Sequence, residues 1–308
     1  MPGHKKHKES QKTPSQPDSF CASSRLFVAN HSGFFPAASL ASVEASYGAS
    51  ADGFTAEPGH QVVSGPMAGV MWAVFNTKKA PLSDLRVRRA FSLALERTKI
   101  AAAVPVPPPF MQVTPATDML SPGVPGYVPG QWLYAKLDLA QAKALLAEAG
   151  YPGGAGLPEI TFLTTDQAGK AEYATDLAAL GVKVRFVEVS RAQFWPRWQS
   201  GRFMMCQDGW NWYPTAAGAL YNSFYGPLDG SGSFYDDAAV NASLRQANET
   251  LDDAARLAAI QSINATIAPD VPVTPIAYFS RTAVCSARLH EAVLSPLDLF
   301  DFTRVWIE

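Results

Sequence analysis

Phe203-Met204-Met205-Cys206-Gln207-Asp208-Gly209-Trp210-Asn211-Trp212-Tyr213-Pro214 is the stretch on which the reading of this 308-residue chain turns. The apolar run Phe203–Cys206 stops at Gly209, two indoles, an amide and a phenol follow, and Pro214 fixes a turn. A short apolar run bounded by breakers predicts a buried strand that delivers aromatic residues at its end. Large amphipathic rings suit a concave ligand site, because they bury area at little entropic cost and keep a polar handle. The same residues also suit a corner of the core, where indoles only fill volume.

The totals narrow the classes. With 47% apolar and 17% charged residues and a formal charge of −2, the composition is that of a soluble globular protein with chain enough for two domains. That balance gives no reason to expect a nucleic-acid partner or an anionic membrane. Cys21, Cys206 and Cys285 lie far apart without a CxxC, which excludes a zinc ribbon or a disulfide framework. Four of the five histidines precede residue 61, so a histidine-based metal site or triad in the body is not expected. No apolar run has the length of a membrane span. The N-terminus begins basic, but no apolar h-region follows and Asp18-Ser19-Phe20 before Cys21 is not a lipoprotein cleavage box, so no export signal is read in this chain.

Outward from the aromatic stretch, periodicity sets the elements. Residues 1–24 are Lys/Ser/Gln/Pro-rich and read as a disordered tail, and residues 25–58 show no clean period. Val62-Val63 and Met71–Phe75 read as two strands around a Gly-Pro turn, with Asn76 closing the second. Ser83 or Asp84 caps a helix whose stripe is Val87, Ala90, Phe91, Ala94 and Leu95, with Arg86, Arg88, Arg89 and Arg97 largely off it. Residues 104–130, dense in Pro and Gly, predict a long loop packed over a surface. Asp138 caps a helix that Gly150 ends. Glu159–Leu163 is a strand, 171–180 a helix stopped at Gly181, and Val182, Val184 and Phe186 mark a half-buried strand. Helices follow around 237–248 and 252–267, then apolar strands at 273–279 and 282–285. The order is that of an α/β fold.

Catalytic motifs are absent. There is no GxSxG elbow, Walker A loop, HExxH or GxGxxG, and Gly153-Gly154-Ala155-Gly156 connects a helix to a strand rather than cradling phosphate. The pairs Asp236-Asp237 and Asp252-Asp253 fall where helix N-caps favour carboxylates. No enzyme activity, cofactor or metal is expected.

Several segments occur in an order that resembles the C-terminal part of the peptide/nickel-type (family 5) solute-binding proteins of bacterial ABC importers. They are Val74-Phe75-Asn76 with Pro81, Asp84 and Val87-Arg88-Arg89-Ala90-Phe91; Thr117–Tyr127; Asp138 with Ala142-Lys143-Ala144-Leu145-Leu146 and Ala149-Gly150-Tyr151-Pro152; Gly181-Val182; Gly201-Arg202-Phe203; the aromatic turn; Asp252 with Arg256; and Pro272-Val273-Thr274-Pro275-Ile276 leading to Tyr278-Phe279. The resemblance implies a periplasmic-binding-protein-like (type II) two-lobe α/β clamp without catalytic residues. Here it covers mainly the second lobe, about residues 77–275, with 59–76 and 276–308 crossing to a first lobe that is mostly missing. Residues 1–58 stay unassigned.

By the same resemblance Trp210, Asn211, Trp212 and Tyr213 line the ligand, with Tyr278 and Asn76 as further candidates. Each of the last two has an equally good structural reading, since a strand-end Asn often closes a turn. Peptide-binding members carry an aspartate just after the Trp, to pair with the peptide amine. That position falls here on Trp212, and no carboxylate occurs between Gly209 and Leu228; Asp208 is near, on whichever side the strand pleat sets. A free peptide amine is therefore expected to bind poorly, and an apolar or sugar-like solute at least as well. The implied partners are a small-molecule or peptide-like solute and the membrane permease of an importer, in the periplasm or at the cell surface. The alternative is a non-transporting remnant or a one-lobe interaction domain of the same family.

Overall fold

The computed structural model describes residues 27–30, 33–36, 49–50, 53–54, 58–104, 111–165, 169–211, 215–228, 230–296 and 305–308. The tail read over 1–24, the prolines at 105–109, and Phe300 and Phe302 lie outside the described residues. Two short antiparallel pairs, β1 (Phe27–Asn30) with β2 (Gly33–Pro36) and β3 (Ala49–Ser50) with β4 (Gly53–Phe54), fall where no element was predicted.

The frame is a six-stranded mixed sheet in the order β6 (Met111–Pro115), β10 (Val273–Ser286), β5 (His60–Phe75), β9 (Met205–Asn211), β7 (Ile160–Thr164), β8 (Val184–Glu188). The pairs from β6 to β9 are antiparallel, and β9, β7 and β8 run parallel. Among the described residues eight helices pack on it: α1 (Leu85–Ala94), α2 (Arg97–Ala102), α3 (Leu139–Glu148), α4 (Lys170–Ala178), α5 (Arg191–Gln199), α6 (Ala216–Phe224), α7 (Ala238–Glu249) and α8 (Asp253–Ile267). A last pair, β11 (Leu289–His290) with β12 (Trp306–Ile307), stands apart from the sheet. Asp84, Asp138, Asp237 and Asp252 each accept a backbone N–H as N-caps, at 2.7–2.9 Å, of α1, α3, α7 and α8. The last two are thus helix caps, as their place before apolar-periodic runs suggests.

Four expectations are corrected. Within the stretch read as a loop over 104–130, Met111–Pro115 forms the edge strand β6 of the sheet. The Gly-Pro turn is absent: β5 runs unbroken for 16 residues through Gly65-Pro66. Pro66 is opposite Ser280 beside a register shift in β10, the kind of irregularity at which a strand tolerates a residue without an N–H. Residues 273–286 likewise form one strand rather than two. Gly209 does not stop β9, which continues to Asn211.

Strand alternation divides the core between the two faces of the sheet. Val70, Trp72, Val74, Leu163 and Cys206 face α5–α8, meeting Trp198, Leu220, Leu244 and Ile263. Met71, Ala73, Phe75, Phe162 and Met205 face α1–α4, meeting Phe91, Ile100, Leu146 and Leu177. The predicted stripe of α1 is buried, but two of the arginines placed off it are buried too. Arg88 donates to the carbonyls of Leu82, Ser83, Asp270 and Val271 at 2.8–3.2 Å. Arg97 donates to the carbonyls of Pro275, Ser92 and Leu95 and to the Thr274 hydroxyl, the last at 2.6 Å. Burial outweighs nearby acidic groups and brings the Arg97 guanidinium down to about 10. Both side chains solve one problem: a five-donor fork supplies hydrogen bonds to carbonyls clustered at helix ends and strand starts. Arg89 instead bonds the Pro269 carbonyl at 2.9 Å and lies over the Tyr134 ring.

The loop from Ala116 to Leu137 covers the edge of the first face through a buried polar network. Asp118 Oδ1 accepts from Leu120 N at 2.7 Å and from Asn264 Nδ2 at 2.8 Å. Asn264 Nδ2 also donates to Gln131 Oε1, and Asn264 Oδ1 accepts from Trp132 Nε1 at 2.9 Å. The other oxygen, Asp118 Oδ2, is buried without a hydrogen bond. Desolvation outweighs the hydrogen bonds and pushes this carboxyl up to about 6.

Two outcomes follow from these buried charges. Replacing Arg97 by Leu strands several carbonyls and is expected to lower the urea-unfolding free energy by about 3–5 kcal/mol. A loss below about 1 kcal/mol would mean that the fork contributes little net stability. For Asp118 the folded carboxyl lies above its unfolded value of 3.8, so its contribution is full below pH 4 and is lost as pH rises through about 6. The stability of Asp118→Asn relative to the wild type should therefore rise by roughly 2 kcal/mol between pH 4 and pH 7.5. A flat difference across that window would show the carboxyl to be unperturbed.

Candidate functional site

β9 leaves the core along its own length. Met205 and Cys206 are fully buried and Gln207 nearly so, Asp208 is half-buried, and Gly209 is exposed. Its place beside β5 depends on Gly209, where a Cβ would stand 2.9 Å from the Val70 carbonyl oxygen and 3.3 Å from Met71 Cα. Any side chain there would force the strands apart, so the residue that looked like a breaker is a close-approach glycine.

Because β7, β8 and β9 are parallel, their carboxyl ends share one edge of the sheet. The helices that follow them, α4, α5 and α6, start at that edge. α5 begins with a Ser190–Gln193 capping box, and the Thr215 hydroxyl accepts from Gly218 N at 3.1 Å to begin α6. In open α/β sheets the crevice beyond the strand carboxyl ends is where ligands bind. Neither helix was predicted: the box S-x-x-Q was a legible signal for α5, whereas α6 is apolar nearly all round and hid in the aromatic run.

The backbone places Trp210 and Asn211 at the last two positions of β9, opposite Val70 and Gly69. Trp212 and Tyr213 lie outside the described residues. On the other side of β5, Val70 pairs with Tyr278 of β10, so Tyr278, Val70 and Trp210 occupy one rung across three strands. The sequence separates Tyr278 from Trp210 widely, and only the register brings them within two strand spacings, about 10 Å. The Tyr278 hydroxyl donates to the Asp118 carbonyl and accepts from Thr117 N, both at 3.1 Å, while Tyr127 meets its ring edge-on. Burial pushes that hydroxyl well above its ordinary range. Tyr278 thus anchors the covering loop.

Asn76 is not brought to this edge. It follows β5 at the end where Phe75 pairs with Met205, the start of β9, roughly 20 Å along the strand from Asn211. Its Nδ2 donates to the Gly201 and Phe203 carbonyls and its Oδ1 accepts from Lys78 N, which uses the amide to close the turn.

Asp208 gained weight from the structure. It pairs across the ladder with Trp72, and so lies on the α5–α8 face. Its Oδ1 accepts from Gly209 N at 2.8 Å. Burial pushes the carboxyl up to about 7, against the opposing pulls of the Gly209 N–H and of Arg191. The strand pleat decided its side, and an isolated heptapeptide does not reveal the pleat. The neighbouring thiol of Cys206 is free, fully buried and pushed well up by desolvation, the opposite of what a nucleophile needs. Among the described residues no group of three or more His, Cys, Asp or Glu could hold a metal ion, and no helix is long and apolar enough to cross a membrane.

Comparison with known proteins places this geometry. The model of the bacterial extracellular solute-binding proteins, family 5 Middle, matches residues 38–232, more than half of the chain. The chain is 28% identical over 214 residues to the probable deoxycholate-binding periplasmic protein YgiS of Escherichia coli (strain K12), covering 66% of this chain and 39% of that protein. It is 25% identical over 249 residues to di/tripeptide-binding protein 1 of Pseudomonas aeruginosa (strain UCBPP-PA14), covering 76% of this chain and 44% of that protein. The solved structure of HbpA2 from Haemophilus parasuis superposes with a TM-score of 0.72 at 25% identity, over 82% of this chain and 50% of the other. The chain therefore spans half or less of the length of these relatives. With its mixed sheet, its helices on both faces and its segment order, the chain belongs to the bacterial extracellular solute-binding proteins of family 5.

Proposed function

We propose that this chain is solute-binding machinery of an ABC importer and holds a small organic or peptide-like solute at the carboxyl edge of β9. The observation that carries this reading is the rung Tyr278–Val70–Trp210, set where β9 emerges from the core and three helices begin. Relatives named for a bile acid and for di- and tripeptides support a solute of that size with both apolar and polar parts.

On this reading Trp210, with Trp212 and Tyr213, supplies apolar area, and Asn211 a polar contact. Tyr278 supports the loop behind them. Residues 77–275 make most of one lobe, and β5 and β10 lead across to the other. The chain acts outside the cytoplasm and hands its solute to a membrane permease. It works by binding and catalyses no reaction.

A melting-temperature screen against a broad solute panel tests this. Binding to the folded state alone stabilises by about 2.7 kcal/mol at a hundred times Kd. A panel in which nothing raises the melting temperature would sink the proposal. For a solute that does, Trp210→Ala is expected to weaken binding by at least about tenfold, or 1.4 kcal/mol, while unliganded stability changes little. Unchanged affinity would remove Trp210 from the site.

A further inference from the structure

We infer that Gln207 is the residue that reads the polar part of the solute, and that it does so through a neutral group carrying a hydrogen-bond donor and acceptor side by side, a primary carboxamide or a pair of vicinal hydroxyls. This inference rests on the proposed binding edge and adds to it the chemistry of the ligand.

Four observations carry it. Gln207 is 6% exposed, yet its Oε1 is buried without a hydrogen bond, and among the described residues its Nε2 donates none. The register sets it opposite Ala73, whose methyl offers no partner, and strand alternation puts it on the α1–α4 face, away from Asp208. Two positions further along that face comes Gly209, exposed and unable to take a side chain without parting β9 from β5, so β9 leaves the amide open toward the carboxyl edge. On the same face the Tyr173 hydroxyl of α4 is also buried without a hydrogen bond, and its ring lies 5.0 Å from that of Phe162, the ladder partner of Met205.

An amide that has given up water and gained no partner costs stability, and such a group is retained where structure is traded for function. Its surroundings fix what it can receive. Burial holds Tyr173 neutral. Thr164 of β7 follows Leu163, the partner of Cys206, and so stands beside Gln207 without charge. The next strand carries Glu188 opposite Thr164, and Lys170 neutralises it at 3.0 Å. A solute carboxylate would be met by Nε2 alone and repelled by Oε1; an ammonium would be met by Oε1 alone, with no counter-charge on this face. A carboxamide or a vicinal diol answers both ends of the amide at once.

The test uses the full chain, with calorimetry and melting curves. The probes are cellobiose, N-acetyl-leucinamide, N-acetyl-leucine and the methyl ester of N-acetyl-leucine. Cellobiose or the carboxamide should bind, and the carboxylate and ester at least about tenfold more weakly than the carboxamide, since a site built to hydrogen-bond a group rejects the analogue lacking it. Binding by cellobiose alone assigns the hydroxyl source, and by the carboxamide alone the amide source. Gln207→Met, close in volume, should melt higher than the wild type without solute and lose the preference. A variant that melts at or below the wild type shows the amide to be structural and overturns the inference. Equal binding of ester and carboxamide to the wild type overturns it whether or not the variant folds, and leaves solute binding standing. So does a solute from the wider panel whose affinity Gln207→Met leaves unchanged. Failure of every probe and of that panel would overturn both.

Discussion

Two buried guanidiniums hold this fold together at the joint between helices and sheet. Arg97 reaches from the start of α2 to Pro275 and Thr274 in β10, and Arg88 reaches from α1 to the segment at Asp270 and Val271 that leads into β10. Neither forms a salt bridge among the described residues; both are matched by carbonyl dipoles. Val271 there has φ of 45°, a left-handed conformation that a β-branched residue adopts only when its surroundings enforce it. The guanidinium bonds to the Asp270 and Val271 carbonyls, which flank the Val271 α-carbon, are that enforcement.

With β10 fixed, the remaining geometry follows. β10 sets the register of β5, and β5 sets that of β9, so the position of Trp210 at the edge traces back through two ladders to Pro275. Glycine at 209 lets the last ladder close. The proposed site is thus built on strands, where positions are held more tightly than on loops.

Much of this was legible in the sequence because it is local. Asp84, Asp138, Asp237 and Asp252 announce their helices through short-range capping, and the stripe of α1 shows its buried side at once. What escaped is set by partners distant in the chain. Gly65-Pro66 looks like a turn until β10 is beside it, and Arg88 looks like solvated charge until the Asp270 carbonyl is placed over it. The family resemblance groups Asn76 with Trp210 as ligand-lining candidates. Antiparallel pairing of β5 with β9 put them at opposite edges. The side on which Asp208 falls depends on the pleat, which the residue types around it do not encode.

The pairing of β5 with β10 also constrains how the chain can be made. Val74 is matched with Val273, 199 positions later in the chain, in the ladder that centres the sheet. Contacts so distant slow the search for the native state, because a long loop must close before any bond rewards it. On the ribosome β5 emerges long before β10, and its β10-facing edge stays unpaired until residues 273–286 have been synthesised. Such a strand is a template for wrong pairing, and its exposed Ser64 and Pro66 interrupt the apolar run at the positions where β10 later passes. The proline that misleads the eye as a turn is therefore well placed to keep the waiting strand from recruiting a neighbour.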